Sequence, residues 1–440
     1  VWHAGHAWQK GPCSYVLQAL TGTLLAGLLT ACASYGDWAR QLEYELAAGD
    51  YQGALAVLEE QGRRPRDALL YLLNRALLLR MDGDFAASNT AFEEAKVLME
   101  KFSAVSVSEQ AGALTVNDLQ RSYSGEAYER VLVPLFAALN YLELGQPREA
   151  RVEILQLDVL LGQLETESLA AGAFARYFSG MVFEALGEVD QALIAYRKAY
   201  QAYREYPAAA LALPEQLKAD LLRLSARLGL KQELARYRRE FAMTAPAAED
   251  GTVGEVVFIL FSGLAPLKRE TRVNAFTESG ELVSIAMPYY EGRLPYVRKG
   301  VLQAGGARAE SEAVEDINTL AVETLQRQAP LILARAVARA VLKHEAVEKA
   351  GEENEGLGFL VNVAGVVSER ADTRSWSILP SRIYVARLAL APGAYALQLR
   401  LINAQGELAG TRRFDIRLKA GEKRFLSLHW IDSHDQGVSH

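Results

Sequence analysis

The chain has 440 residues, half of them apolar, and a formal net charge of −7 at neutral pH. Such apolar content excludes a disordered chain, and the length exceeds what one ordinary core holds, so two or three domains are expected. The mild acidic balance, with no basic domain, argues against nucleic acid as a main partner.

Residues 15–31 carry no charge and consist mostly of Leu, Ala, Gly and Thr. A spanning helix needs about 20 apolar residues, and here the polar Tyr35-Gly36-Asp37 follows closely. The run ends in Leu29-Thr30-Ala31-Cys32. A leucine, two small residues and a cysteine in that order are what a bacterial lipoprotein signal requires. The sequence therefore predicts removal of residues 1–31 as a signal peptide, with Leu29, Thr30 and Ala31 read by the peptidase. Cys32 would carry covalent lipid, which holds a protein at a bilayer surface. An uncleaved apolar anchor is the competing reading, since Lys10 is the only basic residue ahead of the run. The other cysteine, Cys13, would leave with the signal, so the mature chain could form no disulfide. In a Gram-negative envelope, Ala33 in place of Asp after the lipidated cysteine favours the outer membrane, facing the periplasm.

Trp38 to Ala242 is rich in helix formers, and a short pattern recurs within it. Gly49-Asp50-Tyr51 precedes Ala54, and Gly83-Asp84-Phe85 precedes Ser88. Gly145-Gln146-Pro147 precedes Ala150, and Gly187-Glu188-Val189 precedes Ala192. Glycine ends one helix in the left-handed conformation, an acidic residue favours the next N-terminus, and the small residue permits close approach. The first two turns lie 34 residues apart, the period of the tetratricopeptide repeat (TPR); the later spacings, 62 and 42, make the array irregular. This predicts a TPR-like α-helical solenoid over residues 32–241, against a plain helical bundle as the alternative. The stretch Ser103–Tyr128 has weak periodicity and reads as a long loop, a mobile surface insert in the simpler reading and a site of partner contact in the other.

Residues 242–254 contain Pro, Gly and small side chains and read as a linker. An α+β domain over 255–432 is expected next, then a polar tail over 433–440. Strand-like runs are Glu255–Phe261, Leu282–Pro288, Arg382–Leu390, Tyr395–Ile402, Arg413–Leu418 and Arg424–Trp430. The last three alternate as half-buried antiparallel strands of a β-sandwich do. Leu390-Ala391-Pro392-Gly393 predicts a type II turn with Gly393 at positive φ. Val314–Lys349 reads as an amphipathic helical insert kinked or split at Pro330. Gly356–Val367 is apolar but too short to span a membrane.

Two segments carry a family resemblance. One runs from Tyr123-Ser124-Gly125-Glu126 through Arg130-Val131-Leu132 to Asn140-Tyr141-Leu142 and Ala150-Arg151-Val152-Glu153. The other is Ala371-Asp372-Thr373-Arg374-Ser375-Trp376, with Leu379-Pro380, Ala386-Arg387-Leu388 and Pro392-Gly393-Ala394-Tyr395. Together they resemble a family of uncharacterised bacterial envelope lipoproteins, over most of the mature chain; Pro134 within an apolar helix is a departure. The resemblance implies a repeat-containing N-terminal half and an α+β C-terminal half, and no known reaction.

No catalytic site is expected. The chain has six histidines, and none are paired at metal-ligand spacing. There is no nucleophile elbow, phosphate loop or dinucleotide fingerprint, so no metal or cofactor other than the lipid is expected. The residues most suited to contact a partner are Tyr123, Glu126, Asp372, Arg374 and Trp376, since Arg and Trp together anchor interfaces. The same Asp-Arg pair beside a Trp also suits pinning a loop onto its own domain. The reading is a lipid-anchored scaffold or adaptor for an envelope protein. Its alternatives are a regulator or enzyme of cell-wall metabolism and an accessory lipoprotein of an export system.

Overall fold

The computed structural model describes residues 35–109, 122–164, 172–205, 211–244, 252–276, 282–353 and 370–432. Cys32 with its preceding Leu29, Thr30 and Ala31, the Gly356–Val367 stretch and the polar tail lie outside these residues. The chain is mixed helix and sheet, with helices in its N-terminal part and strands in its C-terminal part.

Among the described residues, ten helices form five hairpins in series. They are α1 (Tyr35–Ala47) with α2 (Tyr51–Gln61), α3 (Ala68–Met81) with α4 (Phe85–Glu109), and α5 (Ala127–Glu143) with α6 (Pro147–Leu164). Then come α7 (Ala173–Ala185) with α8 (Val189–Glu205), and α9 (Glu215–Arg227) with α10 (Lys231–Phe241). Each hairpin turns on a glycine at positive φ: Gly49, Gly83, Gly145, Gly187 and Gly229. The residue after each glycine donates its N–H to the carbonyl five residues back, as Asp50 does to Glu45 at 2.9 Å and Glu188 to Phe183 at 2.9 Å. That bond closes the helix end and satisfies a carbonyl left over by the helix. The small residues Ala54, Ser88, Ala150 and Ala192 are fully buried between paired helices, and Ser88 Oγ also donates across the hairpin to the Ala76 carbonyl at 2.7 Å. The fifth turn escapes the sequence pattern because Leu234 stands where the other four have a small residue.

Part of the expected loop at Ser103–Tyr128 is helical. Helix α4 continues to Glu109, residues 110–121 lie outside the described set, and α5 begins at Ala127.

Ten strands follow. The inner sheet, in the order β10-β1-β7-β6, comprises β10 (Lys423–Trp430), β1 (Gly254–Ser262), β7 (Arg382–Leu390) and β6 (Glu312–Asp316). The outer sheet, β5-β4-β8-β9, comprises β5 (Ala307–Glu310), β4 (Val297–Ala304), β8 (Gly393–Asn403) and β9 (Leu408–Leu418). A separate ribbon pairs β2 (Leu267–Phe276) with β3 (Leu282–Glu291), and α11 (Ile317–Glu353) lies along β3.

Strand β1 organises the layers. Val256, Phe258 and Leu260 enter the core shared with the outer sheet, whereas Val257, Ile259 and Phe261 enter the core shared with the helices. Alternation sends successive side chains to opposite faces, so a strand covered on both faces must be apolar throughout, as Val-Val-Phe-Ile-Leu-Phe is. On β7, Ile383 and Val385 face the helices and Tyr384, Ala386 and Leu388 face the outer sheet. Three layers result: helices, inner sheet, outer sheet.

Several expectations are corrected. Arg424–Trp430 is not an antiparallel, half-buried strand: β10 pairs parallel with β1 and contributes Phe425 to one core and Leu426 to the other. The Pro392-Gly393 turn connects two different sheets instead of closing a hairpin, and Gly393 starts β8 without a positive φ. Val314 belongs to β6, and α11 runs unbroken through Pro330. Strands β2, β4, β5 and β6 had no clear signal. In β2, Lys268, Arg269, Glu270 and Arg272 interrupt the apolar pattern, because residues 271–274 are exposed on both faces of the ribbon.

Two helices approach closely at Gly180 of α7, where an added Cβ would overlap the Tyr196 ring. Tyr196 is fully buried and bonded to Glu184 at 2.6 Å, so the ring cannot withdraw. Gly180→Ala is expected to destabilise the fold by about 1–3 kcal/mol, as overpacking does. Urea unfolding of the variant beside the native chain measures it.

Candidate functional site

Contacts with the C-terminal part come mainly from the first helix of each hairpin. Arg80 of α3 reaches Ser427, Phe136 of α5 packs on Phe261 at 5.2 Å, Phe178 of α7 on Phe425 at 6.2 Å, and Asp220 of α9 meets Arg387. On α1, Glu43 pairs with Arg293 at 2.7 Å. The helical array therefore presents one face to the inner sheet. Three buried polar clusters lie along that seam.

The first gathers all five residues singled out in the sequence. Trp376 is fully buried and lies edge-on to Phe92 and Phe136 at 6.3 and 6.1 Å. Its backbone N–H donates to Glu129 Oε1 at 2.7 Å. The other oxygen of Glu129 accepts from the Glu126 N–H at 2.9 Å and from the Tyr123 hydroxyl. The Arg374 guanidinium donates to Asp372 at 2.7–2.9 Å and to Asp67 at 3.1 Å, and stands over the Tyr123 ring at 5.6 Å. Glu126 accepts from Lys268 of β2 at 2.6 Å and from Gln328 of α11 at 3.1 Å. Two stretches about 250 residues apart in sequence thus meet at one point, and they satisfy one another inside the molecule. Tyr123, Arg374 and Trp376 are buried, so none of the three offers its side chain to an outside partner in this conformation. Their geometry is that of a loop, residues 370–381, pinned onto the start of α5.

The second cluster joins α7 and α9 to the inner sheet. Arg387 donates two bonds to Glu255, each 2.7 Å, and a third to Asp220. Arg223 reaches Asp220 and Glu184 at 2.8 and 2.7 Å, and Lys423 pairs with Glu255. Three cations thus face three carboxylates. Burial by itself would raise the Glu255 carboxyl, but Arg387 and Lys423 outweigh it and hold it at about 2. A cavity of about 220 Å³ opens beside Arg387, with Tyr177, Gln216 and Glu312 in its wall.

In the third cluster Arg80 is buried among Phe85, Phe136 and Phe261, 5.4–5.9 Å from each ring centre. It donates to Asn140 and Ser427 and lies 3.5 Å from Glu143. His429 stacks on Phe261 at 4.5 Å, and burial, with Arg80 nearby, pushes its imidazole well below the usual range.

Arginine and carboxylate buried together without exposure to a large cavity give cohesion, since each charge costs several kcal/mol to desolvate and needs its partner. Sequence reading missed Arg80, Glu129, Asp220 and Arg387. The available signal was a charge on an otherwise apolar face, as in Leu77-Leu78-Leu79-Arg80 and Val385-Ala386-Arg387-Leu388. Among the described residues no group of His, Cys, Asp and Glu is arranged to hold a metal ion, and no helix is long and apolar enough to cross a membrane.

No protein-family model matches the chain, and no curated protein matches it. One solved structure with some likeness, described as "MamA RS-1 ArsTM double mutant", is 13% identical over 46% of this chain and 94% of that one, with a TM-score of 0.29.

Two outcomes are expected. Arg387→Met leaves three buried carboxylates with two cations and is expected to destabilise the chain by about 3–5 kcal/mol, read from denaturant midpoints. Glu129 tests the first cluster through pH. Burial, then the nearby Glu126, pushes its carboxyl up from 4.5 to about 7. A carboxyl raised in the folded state contributes fully below its unfolded value and loses that contribution as pH climbs towards the folded one. Relative to the native chain, Glu129→Gln is therefore expected to gain roughly 3 kcal/mol between pH 4.5 and 7 and nothing further above pH 8. Urea titrations across that range give the difference directly.

Proposed function

We propose that this chain is a lipid-anchored scaffold or adaptor of the bacterial envelope, at the outer membrane and facing the periplasm. Its helices act as a TPR-like solenoid, and its strands as a β-sandwich fused to it. The observation that carries the reading is the series of five glycine-turned hairpins beginning at Tyr35, three residues after Cys32. Stacked hairpins of this kind form extended surfaces suited to holding other proteins. With so little chain between Cys32 and α1, the acyl groups set the array against the bilayer.

One part of the scaffold reading changes in consequence. The face that a solenoid would offer to a partner is taken by the chain's own inner sheet. The helical array then serves as a cradle for the C-terminal part, and partners meet the remaining surfaces: the second helices of the hairpins, the β2–β3 ribbon and the outer sheet. The clustered Tyr123, Glu126, Asp372, Arg374 and Trp376 act on partner binding through the positioning of this cradle.

Cells expressing the native chain and Cys32→Ser, grown with a labelled palmitate analogue, test the anchor. The native chain is expected to take up label and sediment with membranes, and Cys32→Ser to take up none; label on the variant overturns lipidation at this residue. Cross-linking in cells followed by pull-down is expected to recover a specific envelope protein. Altered glycan cleavage on adding the purified chain would favour the cell-wall alternative instead.

A further inference from the structure

The outward face of the outer sheet differs in charge from the rest of this acidic chain. Along β8 and β9, Ala394 pairs with Arg417, Ala396 with Asp415, Gln398 with Arg413, and Arg400 with Thr411. Their neighbours Leu397, Leu399, Leu401, Ile416 and Leu418 are buried in the core behind them. Arg400, Arg413 and Arg417 are exposed, as are Ala394 and Ala396. On the adjoining strands Arg308 stands opposite Gln303, and Lys299 opposite Ile402. Five basic side chains share this face with two acidic ones, Asp415 and Glu310. Arg413 pairs with Asp415 at 2.9 Å, and Lys299 and Arg308 share Glu310 at 2.7 and 2.6 Å. Arg400 and Arg417 have no acidic partner among the described residues. At one end Ile402 pairs with Leu408, which is 53% exposed.

A basic face with an exposed leucine at its edge is complementary to one surface in particular. Anionic headgroups attract arginines lying within a Debye length, and an exposed leucine enters the headgroup boundary.

We propose that the outward face of the outer sheet docks on an anionic bilayer surface. Arg400, Arg413 and Arg417 meet phosphate headgroups, and Leu408 enters the interface. The proposal rests on the lipoprotein reading only for the presence of a bilayer.

The test removes the lipid, so its failure is separate from failure of acylation. The mature chain from residue 32, carrying Cys32→Ser, is mixed with vesicles of phosphatidylcholine, with and without 30 mol % phosphatidylglycerol, and sedimented. Binding is expected only to the anionic vesicles and is expected to vanish in high salt. Arg400→Gln with Arg413→Gln and Arg417→Gln is expected to weaken it by roughly a hundredfold, taking each basic residue at its usual contribution near a surface. Leu408→Ser is expected to weaken it at both salt concentrations, which a purely electrostatic contact would not show. All three arginines are exposed, so an unchanged unfolding midpoint is expected to accompany the loss. Equal binding to neutral vesicles, no binding to anionic ones, or full binding by the triple variant overturns the proposal.

Discussion

Strand β1 is covered on both faces, by helices on one and by the outer sheet on the other, and most of the molecule follows from that burial. A strand with two buried faces can carry few polar groups unless each meets a partner. Val256 to Phe261 obeys this with apolar residues alone. The strands beside it bring charge into the same layer: Arg387 on β7, and Lys423 on β10. Those charges are tolerated because the helices facing them supply Asp220 and Glu184, and β1 itself supplies Glu255 at its edge. The inner sheet and the first helix of each hairpin are therefore fitted to each other in charge as well as in shape.

That fit bears on how the helical array is used. Stacked hairpins bury their sides against one another and leave a lining surface open. Here the lining surface is closed by Phe178 against Phe425, Phe136 against Phe261 and Trp376 between Phe92 and Phe136. Aromatic contacts of this kind add about 0.5–1.5 kcal/mol each beyond the area they bury, and the buried ion pairs prevent the layers from sliding. On the proposed scaffold reading, partner contact falls to the outer sheet, the ribbon and the outer helices.

Much of the helical part was legible in the sequence because its signals are local. Gly49, Gly83, Gly145 and Gly187 mark turns by a backbone requirement that glycine meets best, and the small residue five positions later reports close packing within the same hairpin. Gly229 was missed because Leu234 breaks the second half of that pattern, although the backbone requirement is the same. The strands of the sandwich were visible where apolar residues run together or alternate. Strand β2 of the ribbon was not, since Arg269, Thr271 and Arg272 answer to solvent. Tyr123, Glu126, Asp372, Arg374 and Trp376 stood out as residue types, but nothing in their spacing showed that they meet. Glu129, which links the two groups, looked like any other helical glutamate.

The sequence alone determined four of the five hairpin turns, most of the strands and the mixed class of the fold, because each of these depends on neighbours within a turn or two of chain. Tertiary structure decided what those elements face. Whether Arg387 is a surface charge or the centre of a buried network depends on Asp220, 167 residues away. Whether Trp376 is an exposed anchor or a core residue depends on Glu129, 247 residues away. The parallel pairing of β10 with β1 joins the end of the chain to the strand that opens its C-terminal part. Burial is a property of what is brought close, and no local pattern encodes the partner.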